Sequence, residues 1–274
     1  MSEDTGPIPD PSPIIEVGFP SPERQNRWKV GFRLILAIPI LFVALILSIA
    51  AMFVLIVGWF GALFMGRLPH WVARFLSRYL QFYTRVAAYL YLMTDRYPPF
   101  SLSDDTYPVM VEAHPGELNR VAVFFRLILF FPVYLMASWL GAGLAISMIV
   151  IWIVILAKGR MPGVVAEAVA ATLRFMVRIY GYGMLVTSAY PSGLYGDRNE
   201  PRGQAQIEPA SDDEHVMPVA RPRTARIQLS VGARRLVTTF LVIGIVQNIA
   251  TQALNLRADE IERSQPVNQV EPGR

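Results

Sequence analysis

Three stretches of this chain carry no charge: between Arg33 and Arg67, between Arg126 and Lys158, and between Arg235 and Arg257. Crossing a hydrocarbon core of roughly 30 Å takes about 20 apolar residues, so each stretch is long enough and predicts a helix solvated by lipid. Less apolar segments follow the first two, at about 70 to 94 and 163 to 187; one carries Arg74, Arg78 and Arg85, the other Glu167, Arg174 and Arg178. They predict a second helix in each unit. Ahead of each long run sits a short extended stretch, Ile14 to Phe19 and Tyr107 to Glu112, the latter alternating Val109 and Val111 with Met110 and Glu112. These predict strands able to pair into a small sheet.

The pattern is laid down twice. Arg33 recurs as Arg126, Pro39 as Pro132, Trp59 as Trp152, Pro69 as Pro162 and Tyr97 as Tyr190, every pair 93 apart. From Pro22 to Pro98 the copies align without a gap, with 29 identities in 77 positions. Shared apolar composition does not produce that, so the chain contains an internal duplication.

Each copy opens with an Asn-Arg pair, Asn26-Arg27 and Asn119-Arg120, whose asparagines suit helix caps. Phe-Arg-Leu-Ile-Leu follows, at 32 to 36 and 125 to 129. Pro39 and Pro132 stand one to two turns into the runs, where proline removes a hydrogen bond and kinks a helix. One straight helix over the first run would reach about 50 Å, longer than the core, so tilt, bending or protrusion absorbs the excess. Two half-spans are the competing reading. Each run closes on a turn signal, Gly66-Arg67-Leu68-Pro69 or Gly159-Arg160-Met161-Pro162, with proline placed to start a fresh helix. The second helices end at Tyr97-Pro98 and Tyr190-Pro191.

Composition agrees: 53% of the 274 residues are hydrophobic and 17% charged, too apolar for an ordinary soluble domain. The first run far exceeds the ~7–15 residues of a signal-peptide core, so it is expected to remain in the mature protein. The absence of cysteine excludes disulfides and thiolate chemistry. The expected organisation is a disordered leader at 1–13, membrane repeats at 14–103 and 104–196, a disordered linker at 197–230, a C-terminal transmembrane helix at 231–256 and a polar tail at 257–274. The fold class is an all-α membrane protein: two kinked helical hairpins plus one further span, with short extended segments at the membrane surface.

Counting two spans per copy and one at the end gives five, with both copies in one orientation. Arg24, Arg27, Lys29 and Arg33 flank the first span, and Arg221, Arg223, Arg226, Arg234 and Arg235 precede the last. By the positive-inside tendency the N-terminus is expected in the cytoplasm of a multi-pass cell-membrane protein. The second cluster also suits anionic lipid better than nucleic acid.

Arg85 and Arg178 share one repeat position, well inside the second helix, and an intramembrane arginine is a functional candidate by default. Snorkelling, or an interfacial helix with its arginines on lipid phosphates, is the competing account. Arg33 and Arg126 read as interfacial headgroup anchors. Ala137, Gly141 and Ala145, with Ala44 and Ser48 at the first two equivalent places, form a small-residue stripe that permits close helix approach between the copies or between protomers. Gly244, Asn248, Thr251 or Gln252, and Asn255 line one face of the last helix, suited to interhelical hydrogen bonds or a polar path. The histidines His70, His114 and His215 are scattered, with no metal-ligand spacing. No nucleophile elbow or phosphate-cradling loop occurs, so neither enzyme nor cofactor is expected. Asp95, Asp104 and Asp105 read as a solvated turn.

The repeated Asn-Arg, Phe-Arg-Leu-Ile-Leu with proline, Trp59, Gly66-Arg67-Leu68-Pro69 and Thr94-Asp95-Arg96-Tyr97-Pro98-Pro99-Phe100 resemble domain-of-unknown-function family 4389, a group of bacterial membrane proteins. Copy two keeps the opening Tyr107-Pro108-Val109 but closes on Thr187-Ser188-Ala189-Tyr190-Pro191-Ser192. The likeness spans about residues 14 to 197 and implies a membrane unit found in tandem, without an assigned activity. The expected function is therefore a non-enzymatic scaffold or accessory subunit in a bacterial inner membrane, partnered by lipid and by another membrane protein or itself. A transporter or channel-like component using Arg85 and Arg178 is the alternative.

Overall fold

The computed structural model describes residues 15–20, 24–102, 106–112, 120–191, 193–194 and 229–264. The expected leader, most of the linker, the end of the tail, and Asp104, Asp105, His114, Asn119, His215, Arg221, Arg223 and Arg226 lie outside the described residues. In chain order the elements are β1 (Glu16–Gly18), α1 (Arg27–Gly31), α2 (Arg33–Met65), α3 (His70–Leu90), β2 (Met110–Glu112), α4 (Arg120–Lys158), α5 (Gly163–Gly183) and α6 (Val231–Ser264). The chain is an all-α membrane protein apart from the two short strands.

Both long runs are single helices, 33 residues in α2 and 39 in α4, which removes the half-span reading. Pro39 and Pro132 lie inside them. The first helix breaks upstream of its proline, at Phe32 (φ −92°, ψ 5°), after a short α1 capped by the Asn26 side chain on Trp28 N–H. Both long helices end on a left-handed glycine, Gly66 at φ 72° and Gly159 at φ 70°, where any Cβ is strained. Pro69 and Pro162 then stand at the caps of α3 and α5.

Those second helices stop about four residues short of the expected ends. Leu92 and Leu185 both turn left-handed at φ 62°. Met93 N–H returns to Ala88 C=O and Val186 N–H to Gly181 C=O, the 6→1 bonds that seal a helix C-terminus. Leucine accepts the strain because its side chain is almost fully buried at both positions.

Among the described residues three helices are long and apolar enough to cross a membrane: Arg33–Met65, Arg120–Lys158 and Val231–Ile261, with only 11%, 22% and 17% of their most apolar windows buried in the protein. The charges on α3 and α5 keep them off that group, so the expectation of five such spans comes down to three. Instead α3 buries 11 of its 21 residues and α5 13 of its 21, and the two form the inner layer behind α2 and α4.

The two copies do not share one orientation. Gln25 N–H donates to Gly159 C=O at 3.0 Å, and Arg24 bridges Arg160, so the start of copy one lies at the end of α4. Conversely Val123, near the start of α4, packs with Ala62 and Leu68 at the end of α2. Hence α2 and α4 run antiparallel. The expectation of one orientation followed from counting two spans per copy, a count that says nothing of the end of the bundle on which the second copy starts; Arg120, at the start of α4, lies over Gly66 at the end of α2.

The seam between copies is reciprocal. Strands β1 and β2 pair antiparallel, Val17 with Val111 and Gly18 with Met110, and with the offset of 93 these are the same two repeat positions exchanged. Arg27 lies over Gly159 and Arg120 over Gly66, the same exchange again. A unit that docks on its own copy through one patch produces a two-fold relation. Ile15, Val17 and Val111 of the ribbon sit on Leu80 of α3 and Val177 of α5, where Tyr83 and Tyr180 meet edge-on at 5.2 Å.

The C-terminal helix joins beside α5, with Ser230 Oγ donating to Glu167 at 2.7 Å, and then crosses α4. It continues through the expected polar tail to Ser264.

Candidate functional site

In each copy an arginine at the start of the long helix is folded inward onto the end of the second helix. Arg33 is 2% exposed and Arg126 5%. Both were expected at headgroups; their guanidinium groups instead lie over the rings of Tyr89 and Tyr182, at 4.6 and 4.0 Å from the centroids. Tyr97 and Tyr190 complete the cluster, each 5.5 Å from the first ring. A cation over an aromatic face gains most when desolvated, which is the condition here.

The clamps differ in charge. Arg33 donates to Tyr89 C=O at 2.8 Å and pairs with Asp95 at 2.5 Å. Asp95 also accepts the Asn26 N–H at 2.7 Å, tying the chain ahead of α1 to the end of the hairpin. Asp95 is thus a structural counter-ion, not the solvated turn residue it resembles in sequence. Arg126 donates to Thr187 C=O, and Ser188 stands where Asp95 would be. Nearby, burial pushes the Tyr107 phenol above its ordinary range, and its hydroxyl donates to Arg96 C=O at 2.9 Å.

Arg85 is 4% exposed in the inner layer, near Tyr107, and Arg178 is half-buried beside Arg174. Arg174, which carried no assignment, donates to Val17 C=O at 3.0 Å and holds β1 against α5. A hollow at the α2–α3 turn is lined by Arg67, Pro69, His70 and Arg74, and an apolar groove between α4, α5 and α6 by Val150, Val165 and Phe240 among others. Neither is lined by Arg85 or Arg178. Among the described residues no group of histidine and carboxylate side chains forms a metal site.

The small-residue stripe is displaced from the closest helix contact. Ala137 is buried and Gly141 faces the tip of Met176, while Ala145 is exposed. The near-contact is between Gly143 and Gly244: a Cβ on either would lie 1.6 Å from Phe240 O or 1.7 Å from Trp139 O. Ser48 acts within its own copy, its hydroxyl 2.8 Å from Tyr79 Oη.

Two segments of the chain, residues 27–101 and 120–194, match one family model, described as Domain of unknown function (DUF4389). The chain belongs to the DUF4389 family. No curated protein and no solved structure matches it. The boundaries of the DUF4389 match run from the Asn-Arg arginine to just past the Tyr-Pro close, so one matched segment contains one complete clamp: Arg33, Tyr89, Asp95 and Tyr97 in the first, Arg126, Tyr182 and Tyr190 in the second.

Proposed function

We propose that this DUF4389 protein is a non-enzymatic scaffold or accessory subunit of a membrane complex, assembling with another membrane protein or with itself. The observation that carries the reading is the outer half of α6. From Val246 to Ile261 every residue is exposed, yet the stretch carries Gln247, Asn248, Gln252 and Asn255 among Ile249, Leu254 and Leu256. Gln252 already donates to Asn248 at 3.0 Å, one turn apart. Amides on a lipid-facing helix gain by hydrogen bonding across to a second helix. Affinity purification in mild detergent is expected to recover a stoichiometric partner or a homo-oligomer, lost on combining Asn248→Leu, Gln252→Leu and Asn255→Leu. A clean monomer before mutation argues against the proposal.

A second reading, a transporter or channel-like component, is favoured by the inverted relation of the two copies, a habit of transporters, together with Arg85 deep in the inner layer. It predicts that Arg85→Gln and Arg178→Gln abolish anion flux in vesicles without loss of assembly.

The proposed setting is a bacterial inner membrane, crossed several times, with the N-terminus cytoplasmic. Arg24, Arg27, Lys29, Lys158, Arg160, Arg234 and Arg235 all gather at one end of the bundle, which supports that orientation.

A further inference from the structure

We propose that the second copy binds a phosphate oxyanion at Arg126, in the place that the Asp95 carboxylate fills in the first copy. The framework around the two positions is the same. Leu92 and Leu185 share φ 62°. Thr94 Oγ1 accepts Arg96 N–H at 3.2 Å, and Thr187 Oγ1 accepts Ala189 N–H at 3.2 Å. The tyrosine pairs meet edge-on at the same 5.5 Å, with an arginine over the first ring in each case.

Within that shared frame one group is replaced, the carboxylate of Asp95 by the hydroxyl of Ser188. The arginine is not released by the change. Arg126 is 5% exposed, and its polar contacts among the described residues are neutral: the Thr187 carbonyl and the Tyr182 ring. Among the described residues Nε has no partner in either copy, so what separates the clamps there is the carboxylate that only the first one holds. A buried guanidinium without an anion is costly, and an oxyanion accepting its N–H groups removes that cost. Ser188 is exposed, so the position equivalent to the Asp95 carboxylate opens outward, and Arg126 lies only six residues from the start of α4, close to one end of the bundle. Phosphate can reach it as a lipid headgroup or from solution.

Full-length protein in mild detergent provides the test, followed by tryptophan fluorescence during heating. Inorganic phosphate and phosphatidylglycerol are titrated separately, against chloride and phosphatidylcholine. The expected result is a saturable rise in Tm with at least one of the two phosphate probes, weakened about tenfold or more by both Arg126→Gln and Ser188→Asp. Ser188→Asp is also expected to raise Tm without any added anion, because it restores the first copy's ion pair. A response to inorganic phosphate alone identifies a free anion; a response confined to phosphatidylglycerol identifies the headgroup. The basic flank of α6 attracts anionic lipid independently of residue 188, so the difference between wild type and Ser188→Asp isolates this site. An unchanged phosphate response in Ser188→Asp, or no response to either probe in the wild type, overturns the proposal. If Arg126→Gln fails to fold, Ser188→Asp alone decides.

Discussion

Replacing Gly143 or Gly244 by alanine tests the packing on which α6 depends. A Cβ on Gly143 would stand 1.6 Å from Phe240 O, and one on Gly244 1.7 Å from Trp139 O. Carbon and carbonyl oxygen approach comfortably to about 3.3 Å, so either methyl forces the axes apart by roughly 1.6–1.7 Å. The obstacle in both cases is backbone, which has no alternative rotamer. Parting the helices also strips contacts from Leu140, Leu144, Val237 and Phe240, all at most 2% exposed. Lipid tails are as apolar as these side chains, so the loss is one of close dispersion contact more than of hydrophobic burial. Overpacking typically costs about 1–3 kcal/mol, and a rigid obstacle places each substitution near the upper figure. The double variant is expected to cost less than the sum, because the first methyl has already displaced α6. Thermal unfolding in mild detergent measures this, with Trp139 reporting from the crossing. Gly163→Ala, with nothing within 4 Å of its Cβ, is the control and is expected to be neutral or stabilising by up to about 1 kcal/mol. Gly141→Ala meets only the flexible tip of Met176 and should be mild. If Gly143→Ala and Gly244→Ala both fall within about 0.5 kcal/mol of wild type, the close crossing is refuted.

Asp95→Asn leaves the buried Arg33 without its anion and is expected to destabilise by roughly 3 kcal/mol, while Ser188→Ala at the equivalent place is nearly silent; paired thermal melts decide. Gly66→Ala and Gly159→Ala place a side chain in the left-handed region and should each cost about 1–2 kcal/mol, read from the same melts. Trp152→Phe should cost about 1 kcal/mol more than Trp59→Phe, because Trp152 Nε1 donates to Val30 C=O at 2.9 Å whereas Trp59 Nε1 has no partner among the described residues. Equal melting points for the two tryptophan variants would count against that asymmetry.

The Trp152 bond also explains where the duplication has diverged. Val30 belongs to the short α1, which breaks at Phe32, and at that break its carbonyl accepts the Trp152 Nε1–H as well as the Phe32 N–H. Its repeat equivalent, Val123, lies inside the unbroken α4, where carbonyls bond along the helix. Trp59 packs in the same cluster as Val123 and finds no acceptor.

Sequence alone determined what depends on local chemistry. Charge-free runs of membrane length, Gly66 and Gly159 as left-handed stops, Pro69 and Pro162 as starts, and an offset of 93 are legible because each is a property of neighbouring residues or of self-comparison. Pairing of the two extended segments was legible as well, since alternation marks a strand. Only the tertiary structure decided that α2 and α4 oppose each other, that Arg33 and Arg126 turn inward, that Asp95 is a counter-ion, and that Gly143 with Gly244 forms the close crossing. Each joins residues 56 to 136 positions apart, and nothing in a linear pattern distinguishes a buried arginine from an interfacial one. Burial and charge pairing are relations between surfaces, and they exist only once the copies have docked.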